Sequence, residues 1–354
     1  MQVEISQLLR SHLKDLKPYS SARDEYTGTA SIFLDANENP YSSVGGGDYT
    51  RYPDPYQKAV KKKIADIKGV DISSVFLGNG SDEPIDLLIR VFCEPKQDHI
   101  IILPPTYGMY QVAADISGVE VKAVPLTEDF QIDEDSLWDT ITSDSKILFI
   151  CSPNNPTGNL IDPKVIESII FRFDGLVVLD EAYIDFSDQQ SFMSIIKDHN
   201  NVVILQTLSK AWGLAGVRFG MAFADAEIIQ ILNKVKYPYN INSLTQQKVL
   251  NALDHVADKE KVVNKILDER TKLMEELSTL PNVVHIYPTQ ANFVLVKMKD
   301  ASLAYNHLMK DSIIVRDRSK VMQCEECLRL TVGTKEENEN LISSLKKLSD
   351  LSEL

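Results

Sequence analysis

A chain of 354 residues, 44% hydrophobic and 25% charged, has the balance of a globular protein with room for a large core and two domains. Its formal charge of -14 excludes nucleic acid as a partner, because a phosphate backbone demands a basic face. No segment approaches the roughly 18 uninterrupted apolar residues of a membrane span, and four cysteines are too few for a disulfide scaffold.

Met1 to Ser20 holds no apolar run that would serve as a signal peptide, so a cytoplasmic protein is expected. Residues 1–40 read as a polar N-terminal arm, with Lys17-Pro18-Tyr19 and then Asp35-Ala36-Asn37-Glu38-Asn39-Pro40. Gly45-Gly46-Gly47 follows as a flexible break before Arg51-Tyr52-Pro53. Residues 41–250 alternate between helix and strand. A helix is expected over 58–67, and another from Ser81 or Asp82 to Phe92. Strands are expected at 73–77, 100–103, 119–124, 147–150, 176–179, 202–205 and 219–223. Several are continuous apolar runs, the mark of strands buried on both faces. The class is α/β: a large domain with a mostly parallel mixed sheet covered by helices. Over 251–354 the texture changes to a long charged amphipathic helix at 257–280, then strands near 283–287, 293–297 and 313–315 between helices. That reads as a smaller α+β C-terminal domain, with the arm expected to pack near it and near the active site.

The strand ends carry the chemistry, since ligands of such sheets gather where strand carboxyl ends meet loops. Gly78-Asn79-Gly80-Ser81-Asp82 offers backbone N–H groups at a helix N-terminus, a seat for a phosphate. Cys151-Ser152-Pro153-Asn154-Asn155-Pro156 is a loop held rigid by its prolines, presenting asparagine amides. Asp180 ends an apolar run and is followed by Tyr183; a carboxylate buried there needs a cationic partner such as a protonated ring nitrogen. Lys210 follows Val202-Val203-Ile204-Leu205, between the hydroxyls of Thr207 and Ser209 and ahead of Arg218. An amine there can bond an aldehyde, and hydroxyls with a guanidinium can hold a phosphate. Taken singly, these are a glycine turn, an Asx loop and a structural ion pair. Taken together they match pyridoxal 5′-phosphate at its phosphate, ring oxygen, ring nitrogen and aldehyde carbon.

With those residues in view the chain resembles the fold-type I pyridoxal-phosphate-dependent aminotransferases, and within them the histidinol-phosphate branch. The matching segments include Ala-Asn-Glu-Asn-Pro40, Arg-Tyr-Pro53, Pro-Pro-Thr-Tyr-Gly-Met-Tyr110, Asp-Glu-Ala-Tyr183, Leu-Ser-Lys-Ala211 and Leu-Arg-Leu-Thr-Val-Gly-Thr334. The resemblance runs nearly end to end. It implies Lys210 as the residue that bonds the cofactor aldehyde and moves the proton, and Asp180 as the partner of the ring nitrogen. It implies Tyr183 and Asn155 on the ring oxygen and Tyr107 stacked on the ring. The amides of Gly80 and Ser81, with Asp82, Thr207, Ser209 and Arg218, would surround the phosphate. Tyr52 would reach that phosphate from a neighbouring subunit, which implies a homodimer with shared active sites. Arg316 and Arg329 would hold the anionic end of histidinol phosphate or of glutamate and 2-oxoglutarate, with Tyr19 and Asn37 nearby.

Arg318 competes with Arg316 for the inward position, and alternation along a strand would put both on one face. Trp212 stands where the family more often has phenylalanine, and the loop between Asn39 and Arg51 is short and glycine-rich. Threonine-phosphate decarboxylase and aromatic amino acid aminotransferases share these motifs and stand as alternatives. A cofactor-binding regulator without turnover would want a basic DNA-binding module, for which this acidic chain has no spare length. No metal site is expected: the six histidines stand singly, and Cys324-Glu-Glu-Cys327 is a lone CxxC without a second pair.

Overall fold

The computed structural model describes residues 2–19 and 31–352. Its larger sheet is built from β1 (Val75–Gly78), β2 (His99–Ile102), β3 (Glu120–Ala123), β4 (Ser145–Cys151), β5 (Leu176–Asp180), β6 (Val202–Thr207) and β7 (Gly220–Ala224). They lie in the order β1-β7-β6-β5-β4-β2-β3. Only β7 runs against its neighbours, pairing antiparallel with both β1 and β6. Every residue of β1, β2, β5, β6 and β7 is buried, as the unbroken Val/Ile/Leu runs foretold. β3, with Glu120 and Lys122, has no buried residue and forms an edge.

Alternation of side chains along these strands feeds two separate cores. On one face Phe76, Ile100, Phe149, Val178 and Leu205 pack with Ile85, Leu88, Tyr110 and Ile228. Those side chains come from α3 (Asp82–Phe92), α4 (Met109–Ser117) and α7 (Ala226–Val235). On the other face Leu77, Leu148, Ile150, Val177 and Leu179 pack with Val60, Ile64, Ile166, Ile169 and Val249. These come from α2 (Lys58–Lys68), α6 (Pro163–Arg172) and α8 (Ser243–Ala252). α6 begins as its sequence dictates: the Asp162 side chain accepts from the Lys164 N–H, and Pro163 takes the first turn.

The smaller sheet runs in the order β10-β11-β9-β8, with β8 (Val283–Ile286), β9 (Phe293–Met298), β10 (Arg316–Asp317) and β11 (Cys327–Thr331) all antiparallel. Its core joins Val294, Val296, Leu328 and Leu330 to Leu273, Leu277, Leu308, Leu341 and Leu345. The helical partners come from α9 (Val256–Ser278), α10 (Ala301–Lys310) and α11 (Lys335–Ser352).

Two expectations are corrected. Residues 313–315 form no strand: Ile314 is largely exposed, and ladder pairing begins at Arg316, opposite Arg329. The first part of the N-terminal arm also lies elsewhere than expected. α1 (Ile5–Leu8) sends Ile5 into the core of the large sheet. Arg10 bonds the Val91 carbonyl through its N–H and pairs with Glu94 at 3.1 Å. An apolar anchor and an ion pair on the α3 side draw the arm there, so 2–19 lies on the helices of the large sheet. Residues 20–30 of the arm lie outside the described residues.

Candidate active site

The parallel strands end on one side of the large sheet, and the loops they feed enclose a cavity of about 360 Å³. β1 delivers Gly80, Ser81 and Asp82; β4 delivers Cys151 and Asn155; β5 delivers Asp180, Ala182 and Tyr183. β6 delivers Thr207, Ser209 and Lys210, and Arg218 precedes β7. Tyr107 comes from the segment before α4, and Arg316, Arg318 and Arg329 close the cavity from the smaller sheet. Twelve residues expected from the large-domain motifs and from the two strand arginines therefore meet in one place: Gly80, Ser81, Asp82, Tyr107, Asn155, Asp180, Tyr183, Thr207, Ser209, Lys210, Arg218 and Arg329. Arg316 joins them at the rim.

The glycines make the close approaches. Gly80 has φ +74, and a Cβ on it would sit 2.8 Å from Nη2 of Arg218. A Cβ on Gly220 would fall 2.2 Å from the Ser81 nitrogen, so β7 can pass beneath the turn only without a side chain. Ser81 precedes α3 without capping it through its side chain. The expected role of the Gly80 amide is corrected: its N–H donates to the Arg218 carbonyl at 3.1 Å, which fixes the turn against the strand and leaves the helix-start amides beyond it for an anion. Asp82 meets the Arg218 guanidinium at 3.4 Å and accepts from the Tyr107 hydroxyl at 3.1 Å. The Thr207 hydroxyl donates to Ser209 Oγ at 2.9 Å, which sets both side chains on the same side of the turn.

Asp180 is buried. Its Oδ2 accepts from the Tyr110 hydroxyl at 2.7 Å and its Oδ1 from the Ala182 N–H at 3.0 Å. Burial raises its affinity for a proton, and the Tyr110 hydrogen bond opposes that most strongly. Lys210 stands with Nζ 5.5 Å from the centre of the Tyr183 ring. Burial lowers its pKa first and the Arg329 guanidinium second, while Asp180 pulls the other way. The amine is thus shifted toward its neutral, nucleophilic form. The Asn155 amide donates to the Tyr183 hydroxyl at 3.3 Å and accepts from Arg329.

Tyr19, Asn37 and Tyr52 do not line this cavity. Tyr52 stacks on Tyr239 at 4.6 Å and borders, with Asn37, a separate surface cleft; Tyr19 is exposed beside Pro238 and Tyr239. Arg318, weighed against Arg316 for the inward position, lines the cavity together with it, whereas Tyr110 and Cys151 had been given no role in advance. Tyr110 follows Tyr107 by three residues on a helix entry, and a buried phenol must bond something. That spacing was a usable signal. Cys151 had none, reading only as the apolar end of its strand.

The family described as aminotransferase class I and II matches residues 30–345, and the chain belongs to that family. It is 51% identical over 346 residues to the histidinol-phosphate aminotransferase of Cytophaga hutchinsonii, covering 98% of this chain and 99% of that one. Among solved structures, the histidinol-phosphate aminotransferase of Clostridium acetobutylicum matches with a TM-score of 0.78 and 26% identity, covering 86% and 92% of the two chains. The Sinorhizobium meliloti histidinol-phosphate aminotransferase, solved with pyridoxal-5′-phosphate, shares the fold with a TM-score of 0.79 at 22% identity, over 90% of each chain. Pyridoxal 5′-phosphate is the cofactor of this family. The cavity suits it: a bare glycine cradle faces Arg218, and Asp180, buried with no ion pair among the described residues, awaits a cation.

Proposed function

We propose that this chain moves the amino group of L-histidinol phosphate to 2-oxoglutarate, giving imidazole-acetol phosphate and L-glutamate, a step of L-histidine biosynthesis. The observation that carries the reading is the meeting of Lys210 with Arg316 and Arg329 in one cavity. A guanidinium accepts a phosphate monoester or a carboxylate with the same forked geometry, so one pocket can take both amino donors in turn. The half-identity to histidinol-phosphate aminotransferases over nearly the whole chain supports the choice of amine.

The amides at the start of α3, with Thr207, Ser209 and Arg218, would hold the cofactor phosphate. Asp180 would face the ring nitrogen, Tyr183 and Asn155 the ring oxygen, and Tyr107 one ring face. Bound there, pyridoxal phosphate supplies an electron sink for the bond broken at the substrate α-carbon. Asp180, buried and acid, would favour a protonated ring nitrogen as its positive partner. Lys210 is the amine that would bond the cofactor aldehyde and, once freed by the substrate amine, would hold the α-proton on its Nζ. Burial and the Arg329 charge lower its pKa, which favours the neutral nitrogen that can accept a proton. Arg329 and Arg316 orient the substrate by its anionic end.

The chain is read as a cytoplasmic homodimer. Tyr52, Asn37 and Tyr19, outside the cavity of their own chain, would complete the site of the neighbouring subunit. Leu34, Tyr41 and Val44, exposed in the chain segment that also supplies Asn37, suit an apolar subunit contact. A division into an arm over 1–40, a large domain over 41–250 and a small one over 251–354 follows the two sheets. Among the described residues no helix is long and apolar enough to cross a membrane.

The test is to mix the cofactor-loaded protein separately with histidinol phosphate, phenylalanine and threonine phosphate, and to follow loss of the lysine-bound cofactor's absorbance. Histidinol phosphate should react fastest, leaving its keto product and no carbon dioxide. Preference for either other amine would overturn the substrate while leaving the fold intact.

A further inference from the structure

Three arginines, and no acid, face one another at the substrate end of the cavity. Arg316 stands directly opposite Arg329 in the pairing of β10 with β11. The ladder continues one step further, with the Arg318 N–H donating to the Cys327 carbonyl at 2.9 Å. Two residues apart on an extended segment, Arg316 and Arg318 share a face, and all three guanidinium groups line the cavity. Asp317, between them, is turned to the neighbouring loop, where its carboxylate accepts from the Ser319 N–H.

Like charges set opposite each other across a ladder are destabilising. Here no acid offsets them: among the described residues none of the three makes an ion pair, and the side-chain partners of Arg329 are neutral, the Asn155 amide and the Phe293 ring 5.2 Å from its guanidinium. The Nε atoms of Arg318 and Arg329 are buried without any hydrogen-bond partner. Were Arg318 a brace for the turn at 319–326, its guanidinium would bond that turn's carbonyls; it bonds none. Burial and the two neighbouring guanidinium groups push its pKa down to about 10, with no carboxylate among its close charges. The cofactor phosphate seat is elsewhere, at Arg218 on the opposite wall.

We infer that Arg318 is a third substrate-anion residue and that it sets the pocket's preference for a phosphate monoester over a carboxylate. This rests on the aminotransferase reading of the site and goes beyond it. A carboxylate brings one negative charge and two oxygens, which a pair of guanidinium groups satisfies. A phosphate monoester brings about −1.5 to −2 charges and three acceptor oxygens at neutral pH. The third fork is the match for that surplus.

The test measures the two half-reactions separately on cofactor-loaded wild type, Arg318→Gln and Arg318→Lys. In Arg318→Gln, kcat/KM for histidinol phosphate should fall about 10- to 100-fold, mainly through KM, the scale expected for a lost charge-assisted bond. For glutamate the fall should be no more than about 3-fold, since two arginines remain for its carboxylate. Arg318→Lys should recover part of the preference, and an unchanged cofactor spectrum in both variants shows that the fold is kept. Inorganic phosphate, as inhibitor of the glutamate half-reaction, should bind at least about 10-fold more weakly to Arg318→Gln. Equal losses for both amines, or no loss for either, would overturn the inference. If wild type refuses histidinol phosphate, the substrate reading fails, and the inorganic phosphate measurement still decides the role of Arg318.

Discussion

The Tyr110 hydroxyl and Asp180 Oδ2 are joined by a 2.7 Å hydrogen bond, with both side chains buried behind the site. Tyr110 also stacks on Phe149 at 4.6 Å and meets Tyr107 edge-on at 5.6 Å, so one ring ties the carboxylate to the wall that faces the cofactor. Its donation is the largest influence keeping Asp180 ionised against burial. Tyr110→Phe should lower kcat about 10-fold with little change in KM, and cost about 1–2 kcal/mol of stability. The sign with pH follows from linkage. In the cofactor-free protein Asp180's folded pKa is raised, so its contribution is fully present below its unfolded value of about 3.9 and is lost as pH rises through the folded value. The variant raises the folded value further. The stability gap between cofactor-free wild type and variant should therefore widen between acid and neutral pH in denaturant titrations; a constant gap would contradict it.

Arg329 should act on Lys210 as well as on substrate. Its positive charge is the second cause, after burial, of the lowered lysine pKa. Arg329→Gln should raise that pKa, because the guanidinium that disfavours the ammonium is gone. Cofactor-free protein bonds pyridoxal phosphate through the neutral amine, so the pH at which the bonded cofactor's absorbance grows at half its maximal rate should move upward. A downward or absent shift would separate the two residues.

On the proposed reading, Lys210→Ala removes the amine that would bond the aldehyde and move the proton. Turnover should vanish below detection and the absorbance of lysine-bound cofactor should be absent, while thermal unfolding remains cooperative. An alanine variant retaining full activity would displace Lys210 from the centre of the site.

The sheet was legible because its strands are continuous Val/Ile/Leu runs whose ends carry the polar residues, and Asp180, Asn155 and Lys210 stand where those runs stop. Other features depend on contacts between distant segments. The Gly80 amide was read as free for a phosphate, but the Arg218 carbonyl, 138 positions on in the chain, takes it. Tyr110 appeared only as the end of the Pro-Pro-Thr-Tyr-Gly-Met-Tyr110 segment, with no contact assigned, since its partner Asp180 lies 70 residues away. The arm's polar composition did not reveal that Ile5, with Val3, Leu8, Leu9 and Leu13 packed beside it, would anchor it on the large core. The start of β10 was misplaced because Ile313 and Val315 have strand composition, while ladder pairing is set by β11.

Gly220 tests how tightly the phosphate turn is held. A methyl group there would lie 2.2 Å from the Gly80 carbonyl carbon and the Ser81 nitrogen, both backbone atoms that no rotamer change can move aside. The pairing of Gly78 with Gly220 must then open or the turn must lift. Gly220→Ala should cost roughly 2–4 kcal/mol and weaken cofactor binding by more than about 10-fold. Calorimetry and cofactor titration check the two separately. A variant of normal stability and affinity would mean that the turn has room to move.

The Cys324-Glu-Glu-Cys327 pair invites a redox reading that its surroundings oppose. Reactive CxxC thiols sit exposed, in positive fields that favour the thiolate. Both of these are fully buried, and burial, together with neighbouring carboxylates, pushes Cys324 up to about 12 and Cys327 up to about 11. Their work is in the backbone: the Cys324 N–H bonds the Val321 carbonyl, the Cys327 N–H bonds the Cys324 carbonyl, and the Cys327 carbonyl accepts from Arg318. The pair thus closes the turn that returns the chain to Arg329 on β11. A disulfide-exchange reagent at pH 8 should leave all four cysteines unlabelled in the folded protein and label them together on unfolding, at the rate of global opening. Fast labelling of Cys327 in the folded enzyme, with loss of activity, would restore the redox reading and place a thiol switch two residues from the substrate arginine.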